Sequence, residues 1–82
     1  MGTSYVTFKL IQGGIPVSRY TCLADAIADA KRMGVRSCDH YYIEEVYEDS
    51  KFEMHWYFDL SGNRHETAYD AVNKAMMEEV TT

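Results

Sequence analysis

Alternating apolar and polar residues predict two β-hairpins in this chain. Residues 4–12 alternate as a strand with one buried side, and Gly13-Gly14 then supplies the positive backbone φ angles that a two-residue turn requires. Residues 15–20 return as the partner strand. Because Pro16 cannot donate a ladder hydrogen bond, it suits an edge strand or a non-bonded site next to the turn.

The second hairpin is predicted over residues 40–60, HYYIEEVYEDSKFEMHWYFDL, with its turn at Asp49-Ser50. This turn places aromatic and β-branched residues opposite each other on the two strands, which is a favourable set of cross-strand pairs. The strand over residues 52–60 has the clearest alternation in the chain. Its inward residues are Phe52, Met54, Trp56, Phe58 and Leu60.

An amphipathic helix follows each hairpin. The first helix is capped by Thr21 and ends near Gly34, and the second runs from about Thr67 to Val80. Both carry the pattern Asp-Ala-(Ile/Val)-x-x-Ala, at Asp25–Ala30 and at Asp70–Ala75. Small alanines let a helix lie close to a sheet, so the pattern predicts that both helices pack on one sheet. It leaves open whether the chain arose by duplication or by convergence.

The order strand, strand, helix, which occurs twice, predicts an α+β fold in a single domain over residues 1–82. We expect a two-layer sandwich of ββαββα order, in which a four-stranded antiparallel sheet has both helices on one face. The bulky side of the sheet would then face the helices, and its residues are Phe8, Leu10, Tyr41, Ile43, Phe52, Met54, Trp56 and Phe58.

The opposite face of this sheet would then face water or a partner. It carries more tyrosine than a solvated face needs, and tyrosine is enriched at protein interfaces. Two interpretations stay open: an interface, or cross-strand tyrosine pairs that stabilise a solvated sheet. The residues of this face are Tyr5, Thr7, Lys9, Ile11, Ser18, Tyr20, Tyr42, Glu44, Val46, Glu48, Glu53, His55, Tyr57 and Asp59.

The chain is acidic, with 13 acidic and 8 basic residues and a formal charge of −5. This charge opposes direct nucleic-acid binding, because lysine and arginine provide most of the affinity for phosphate backbones. A basic partner is favoured instead. Five carboxylates between Glu44 and Glu53 could imitate a phosphate backbone in a basic groove of another protein. The alternative is a charged hairpin tip that keeps an edge strand soluble.

Metal binding and catalysis receive little support from the residue pattern. His55 and Glu53 point to the same side of one strand, but no nucleophile or glycine-rich phosphate loop accompanies them. We therefore expect no catalytic residue, no metal and no cofactor. The candidate metal ligands lack the paired spacing of a structural zinc site, and they are Cys38, Asp39, His40, His55 and His65.

The chain has the features of a cytoplasmic protein. No apolar run approaches the roughly 20 residues that span a bilayer, and the N-terminus lacks a basic flank followed by an apolar core. Cys22 and Cys38 are too few and too irregularly placed for a disulfide scaffold, which fits a reducing compartment. We expect no membrane partner.

The stretch GGIPVSRYTCLADAIADA, residues 13–30, is a hairpin that closes into a helix rich in Asp and Ala. With this stretch, its small size and its acidity, the chain resembles the small accessory proteins of phages and mobile elements, of the anti-CRISPR and other anti-defence inhibitor type. That resemblance implies an inhibitor that occupies a nucleic-acid groove or a subunit interface of a host complex, in the host cytoplasm. It assigns no functional residue.

The predicted function is a non-catalytic protein-binding inhibitor whose acidic and aromatic surface blocks a basic or nucleic-acid-binding protein complex. The alternative is a small structural or regulatory domain that forms a symmetric homodimer through the tyrosine face. The predicted interaction residues are Tyr42, Glu44, Glu48, Asp49, Glu53, His55, Tyr57 and Asp59.

Overall fold

A sheet of five antiparallel strands carries one helix on each face. The computed structural model describes residues 6–47 and 55–81. The strands are β1 (Val6–Gln12), β2 (Ile15–Tyr20), β3 (Tyr41–Tyr47), β4 (Trp56–Phe58) and β5 (Arg64–His65), in the sheet order β2-β1-β3-β4-β5. The helices are α1 (Leu23–Met33) and α2 (Ala68–Thr81), and a short 3₁₀ helix, Ser37–Asp39, precedes β3.

The first predicted hairpin, now β1 and β2, is confirmed. Gly13 and Gly14 have φ angles of 58° and 90°, the left-handed values that a primed two-residue turn requires and that glycine adopts without strain. β2 lies at the edge of the sheet, which agrees with the prediction from Pro16.

A β-bulge changes which residues of β2 face α1. Gln12 pairs with Ile15 next to the turn, whereas Leu10 pairs with Ser18, so β2 contributes one extra residue between these pairs. A shift of one residue turns the following side chains to the other face of a sheet. The prediction that Ser18 and Tyr20 face away from the first helix is therefore wrong, and Tyr20 packs against the core beneath α1.

The structure has the element order ββαβββα, so the prediction of four strands in the order ββαββα is corrected. β5 lies between the predicted second hairpin and the predicted second helix, and it pairs with β4. A strand of two residues is too short to produce an alternation pattern. The predicted turn at Asp49-Ser50, and residues 52–54 of the predicted fourth strand, lie outside the described residues.

Each helix packs on a different face of the sheet, so the prediction of a two-layer sandwich with both helices on one face is wrong. α1 covers the core cluster of Leu10, Ile43 and Phe58. α2 covers a second cluster that includes Ile11 and Tyr42. Ile11 follows Leu10 in β1, and Tyr42 precedes Ile43 in β3. Neighbouring side chains of a strand point to opposite faces of the sheet. The sheet is therefore the middle layer of three.

The connections of the chain explain why α1 occupies its face. β2 and β3 run parallel to each other, because both are antiparallel to β1. α1 connects these two strands, and such crossovers are almost always right-handed, which restricts the helix to one face. Among the described residues no strand follows α2, so this rule does not act on it. α2 covers the face that α1 leaves open.

The helix ends agree closely with the predicted ones. α1 ends at Gly34 in the left-handed conformation, but its N-cap residue is Cys22 and not Thr21, and no side chain of the described residues caps it by a hydrogen bond. α2 starts one residue after Thr67, whose Oγ1 accepts a hydrogen bond from the Asp70 backbone N–H at 3.1 Å. The two helices therefore begin differently, the second with a side-chain cap and the first without one.

Candidate interaction surface

α2 shields two of the predicted interaction tyrosines. Tyr42 is 9% exposed and packs with Ile11 against Ala71 and Val72. Tyr57 is half-buried beside it, and the two rings make an edge contact with centroids 6.0 Å apart and an interplanar angle of 63°. Burial, with a smaller effect of nearby negative charge, raises the pKa of both hydroxyls. The prediction that this tyrosine face is uncovered is therefore wrong at its centre.

Asp59 stabilises the turn between β4 and β5, although the sequence predicted that it points to solvent. It is 2% exposed. Its Oδ1 accepts hydrogen bonds from the backbone N–H groups of Ser61 and Asn63, each at 2.9 Å. Its Oδ2 accepts one from the Asn63 side chain at 3.1 Å and lies 2.9 Å from His65 Nε2. Asp59 is therefore a structural residue of this turn.

The pKa of Asp59 reflects two opposing effects. Burial raises the pKa of the carboxyl, because a buried charge loses hydration. The hydrogen bonds from His65, Asn63 and Ser61 lower it by more, and the net shift is downward. The carboxylate form of Asp59 is thus the form that the folded turn stabilises.

Glu44 and His55 are the two predicted interaction residues that the structure brings together at the surface. In the register of the sheet, Glu44 lies opposite Lys9 of β1 and opposite Tyr57 of β4. His55 precedes β4 and is exposed, and its Nδ1 lies 3.3 Å from Glu44 Oε1. This contact becomes an ion pair when His55 is protonated.

Glu45 lies next to Glu44 on β3 and points to the opposite face of the sheet. The Tyr47 hydroxyl donates a hydrogen bond to Glu45 Oε2 at 2.8 Å, and this bond raises the pKa of the hydroxyl. Among the described residues, Val6, Val46 and Tyr47 belong to neither core cluster. Glu44 and Glu45 lie next to these residues and place a carboxylate on each face of the sheet, and their cross-strand neighbours Tyr57 and Trp56 pack against the two clusters. We call Glu44–Tyr47 and His55 the acidic end of the sheet.

Three of the predicted interaction residues, Glu48, Asp49 and Glu53, lie outside the described residues. In the sequence they fall between Tyr47 and His55. The acidic end is therefore where the chain enters and leaves the segment that contains them.

Three further features of the described residues concern metal binding, membrane crossing and the cysteines. Within residues 6–47 and 55–81, no three His, Cys, Asp or Glu side chains are grouped so that they could hold a metal ion. No helix in these ranges is long and apolar enough to cross a membrane. Cys22 and Cys38 are exposed and carry free thiols. The polar side-chain groups at the acidic end are the carboxylates of Glu44 and Glu45, the imidazole of His55 and the phenol of Tyr47.

No family model matches this chain, and neither the curated proteins nor the solved structures contain a match to it.

Proposed function

We propose that this protein is a non-catalytic protein-binding inhibitor that holds a basic surface of another protein at the acidic end of its sheet. The observation that carries this proposal is the position of Glu44 and Glu45, on opposite faces of β3 and next to the end of the sheet where Val6 pairs with Tyr47. Carboxylates on both faces of one strand can contact both walls of a basic groove.

The charge of the neighbouring sequence supports the same partner. Glu48, Asp49 and Glu53 follow in the chain, with Lys51 as the one basic residue between Glu44 and Glu53. The whole chain carries a charge of −5, so long-range attraction and the local contacts favour the same kind of surface. Such complementarity increases association rates and discriminates against wrong partners more than it adds affinity.

The contacts within the acidic end orient its carboxylates. The Tyr47 hydroxyl holds Glu45, and His55 holds Glu44 from the neighbouring strand. A carboxylate that is already oriented loses less side-chain entropy when it binds a lysine or arginine. Lys9 lies opposite Glu44 in register and offsets part of its charge, so the proposal depends on the carboxylates acting as a group.

We also propose the kind of partner that the protein binds and the compartment in which it acts. The partner is a nucleic-acid-binding complex whose basic groove the acidic end occupies as a nucleic-acid mimic. The protein acts in the cytoplasm, as a phage-encoded inhibitor of an anti-CRISPR or other anti-defence type would. The free thiols of Cys22 and Cys38 suit a reducing compartment.

The test is capture of partners from a cytoplasmic lysate with wild-type and variant bait. The variant Glu44→Gln/Glu45→Gln removes two charges from the acidic end, and the control Asp25→Asn/Asp29→Asn removes two charges from α1. We expect the wild type and the control to capture the same basic protein, with less capture at higher salt, and the Glu44→Gln/Glu45→Gln variant to capture much less. Added nucleic acid should compete for the captured protein. Equal capture by all three baits contradicts the proposal.

A symmetric homodimer remains the alternative function. Burial of Tyr42 under α2 removes a central contact from the predicted dimer surface, so a dimer would need another surface. Sedimentation velocity at low and high salt separates the alternatives: a monomer at both supports the inhibitor, and a dimer at both supports the self-associating domain.

A further inference from the structure

Glu44 lies within a row of polar side chains that crosses the sheet on the side of α2. Each member of the row lies opposite the next in the register of the strands, and the members are Arg19, Lys9, Glu44, Tyr57 and His65. His55 precedes β4, and its Nδ1 is 3.3 Å from Glu44 Oε1. The Glu44 carboxylate thus has a lysine opposite it on β1 and an imidazole against it at the start of β4.

Most other groups near this contact either carry no charge or have a charge partner of their own. The residues of α2 in the cluster with Tyr42 and Tyr57 are uncharged, and they are Ala68, Ala71, Val72 and Met76. Burial raises the pKa of the Tyr42 and Tyr57 hydroxyls, so both stay neutral near pH 7. His65 lies beyond Tyr57, and its Nε2 is 2.9 Å from Asp59 Oδ2, which offsets its charge when it is protonated.

Lys9 and His55 therefore decide the charge around Glu44. Lysine and arginine are cations throughout the range from about pH 5 to pH 8, whereas histidine ordinarily gains its charge within this range. When the His55 imidazole is neutral, its Nδ1–H can donate a hydrogen bond that orients the Glu44 carboxylate, and Lys9 offsets one negative charge. When the imidazole is protonated, two cations flank one carboxylate. The net charge of these three groups then changes from zero to plus one.

We propose that protonation of His55 weakens the binding of a basic partner at the acidic end, because the imidazolium competes with the partner's lysine or arginine for Glu44. This inference rests on the function proposed above and adds the regulation of the same site. The protein then binds its partner more tightly at about pH 8 than at about pH 5.5. Because linkage is reciprocal, binding of the partner also favours the neutral form of His55.

The expected change in affinity is modest, because both groups are partly exposed to water. The side chains of His55 and Glu44 are 39% and 21% exposed, so water and salt screen their interaction. Glu45 points to the opposite face and is held by Tyr47, so it keeps its part of the contact with the partner. We expect a loss of affinity of about threefold between about pH 8 and about pH 5.5, and a smaller loss at higher salt.

The first test needs no partner. The ¹³C signal of the Glu44 carboxyl group and the imidazole signals of His55 are followed by NMR as the pH falls from about 8 to about 5.5. We expect the Glu44 signal of the wild type to change with the same midpoint as the His55 signals, and to change much less in the His55→Gln variant. A Glu44 signal that follows the same course in both proteins overturns the proposal.

The second test measures binding of the peptide acetyl-Lys-Arg-Lys-Arg-Lys-Arg-amide by calorimetry at about pH 8 and about pH 5.5, at constant ionic strength. His55→Gln keeps a hydrogen-bond donor for Glu44 but does not titrate. The control is His40→Asn, because His40 precedes β3 at the other end of that strand and has a φ of 66°, which asparagine tolerates.

We expect the wild type and His40→Asn to lose about threefold in affinity for the peptide as the pH falls, and His55→Gln to lose less than about 1.5-fold. The proposal is overturned if His55→Gln loses as much as the wild type, or if the wild type loses nothing.

The Glu44→Gln/Glu45→Gln variant separates this inference from the proposed function. At about pH 8 it should bind the peptide much more weakly than the wild type, as the proposed function requires. If it does so while the wild type and His55→Gln show the same pH dependence, the role of His55 is wrong and the proposed function stands. If it binds the peptide as tightly as the wild type, the proposed function fails, and the inference about His55 fails with it.

Discussion

The two helices carry the same sequence pattern but pack on opposite faces of one sheet. Ala26 and Ala30 of α1 are buried, and so are Ala71 and Ala75, which occupy the same positions of the pattern in α2. In both helices the alanines allow close approach to the strands. The pattern therefore predicts how each helix contacts the sheet, but it does not predict which face the helix covers.

The two faces differ in the side chains that they offer to the helices. The α1 face is built from Leu10, Ile43 and Phe58, and Phe8 makes an edge contact with Phe58 at a centroid distance of 6.1 Å. The α2 face has Ile11 and a pair of tyrosines in place of this apolar cluster. A face rich in tyrosine is predicted from sequence to be exposed because tyrosine has a polar hydroxyl group. Its ring can nevertheless be buried in a core when small residues pack over it.

Removal of one apolar side chain from each face should have the largest effect and tests whether both faces are cores. Leu10 and Ile11 are neighbours on β1 and point to opposite faces. We expect Leu10→Ala to lower the free energy of unfolding by about 3–5 kcal/mol and Ile11→Ala by about 2–3 kcal/mol, because the α2 cluster is smaller. Urea denaturation measures both. An Ile11→Ala variant within about 0.5 kcal/mol of the wild type would mean that α2 does not cover this face.

The turn between β4 and β5 should contribute an intermediate and pH-dependent effect. The folded chain lowers the pKa of Asp59, whereas an unfolded aspartate has a pKa of about 3.9. The stabilisation is thus fully present above this value and is lost as the pH falls through the lower pKa of the folded state. Asp59→Asn should cost on the order of 1–3 kcal/mol at pH 7.

Urea denaturation at neutral and at acidic pH checks this prediction. The difference in stability between the wild type and Asp59→Asn should shrink as the pH falls, because the wild-type carboxylate becomes protonated. The exposed Asp25, in the first turn of α1, provides the control Asp25→Asn. A difference between wild type and Asp59→Asn that does not change with pH would contradict the assigned role of the carboxylate.

Substitutions at the N-terminal ends of the two helices should give the smallest changes in the free energy of unfolding. Thr67 caps α2 by a side-chain hydrogen bond, whereas Cys22 provides no such bond for α1. We expect Thr67→Ala to lower the free energy of unfolding by about 1 kcal/mol and Cys22→Ala to change it by less than about 0.5 kcal/mol. Thermal unfolding followed by circular dichroism compares the two variants. A larger effect at Cys22 than at Thr67 would reverse this difference between the helices.

The sequence predicted the local elements well and the long-range arrangement less well. The Gly13-Gly14 turn, both helices and the end of α1 at Gly34 follow from signals within a few residues. The bulge in β2 leaves no such signal, because one extra residue in a strand keeps the alternation on each side of it. β5 is too short to show a period. The face of α2 depends on the path of the whole chain.

The sequence also predicted the positions of the interaction residues only in part. Alternation placed Asp59 on the outside, but Ser61, Gly62 and Asn63 after it are typical of a turn in which an aspartate accepts backbone hydrogen bonds. That signal could have identified its structural role. Tyr42 and Tyr57 were assigned to a surface because the predicted position of the second helix was wrong. His55 is exposed, as predicted, and Glu44 beside it is half-buried.

The measurement that most directly tests the placement of α2 is a ¹³C-edited NOESY spectrum of the Val72 methyl groups. If α2 lies on the face opposite to α1, the Val72 methyls give cross-peaks to the ring of Tyr42 and to the methyls of Ile11. Cross-peaks from Val72 to Leu10 and Ile43 instead would place both helices on one face and contradict the three-layer arrangement.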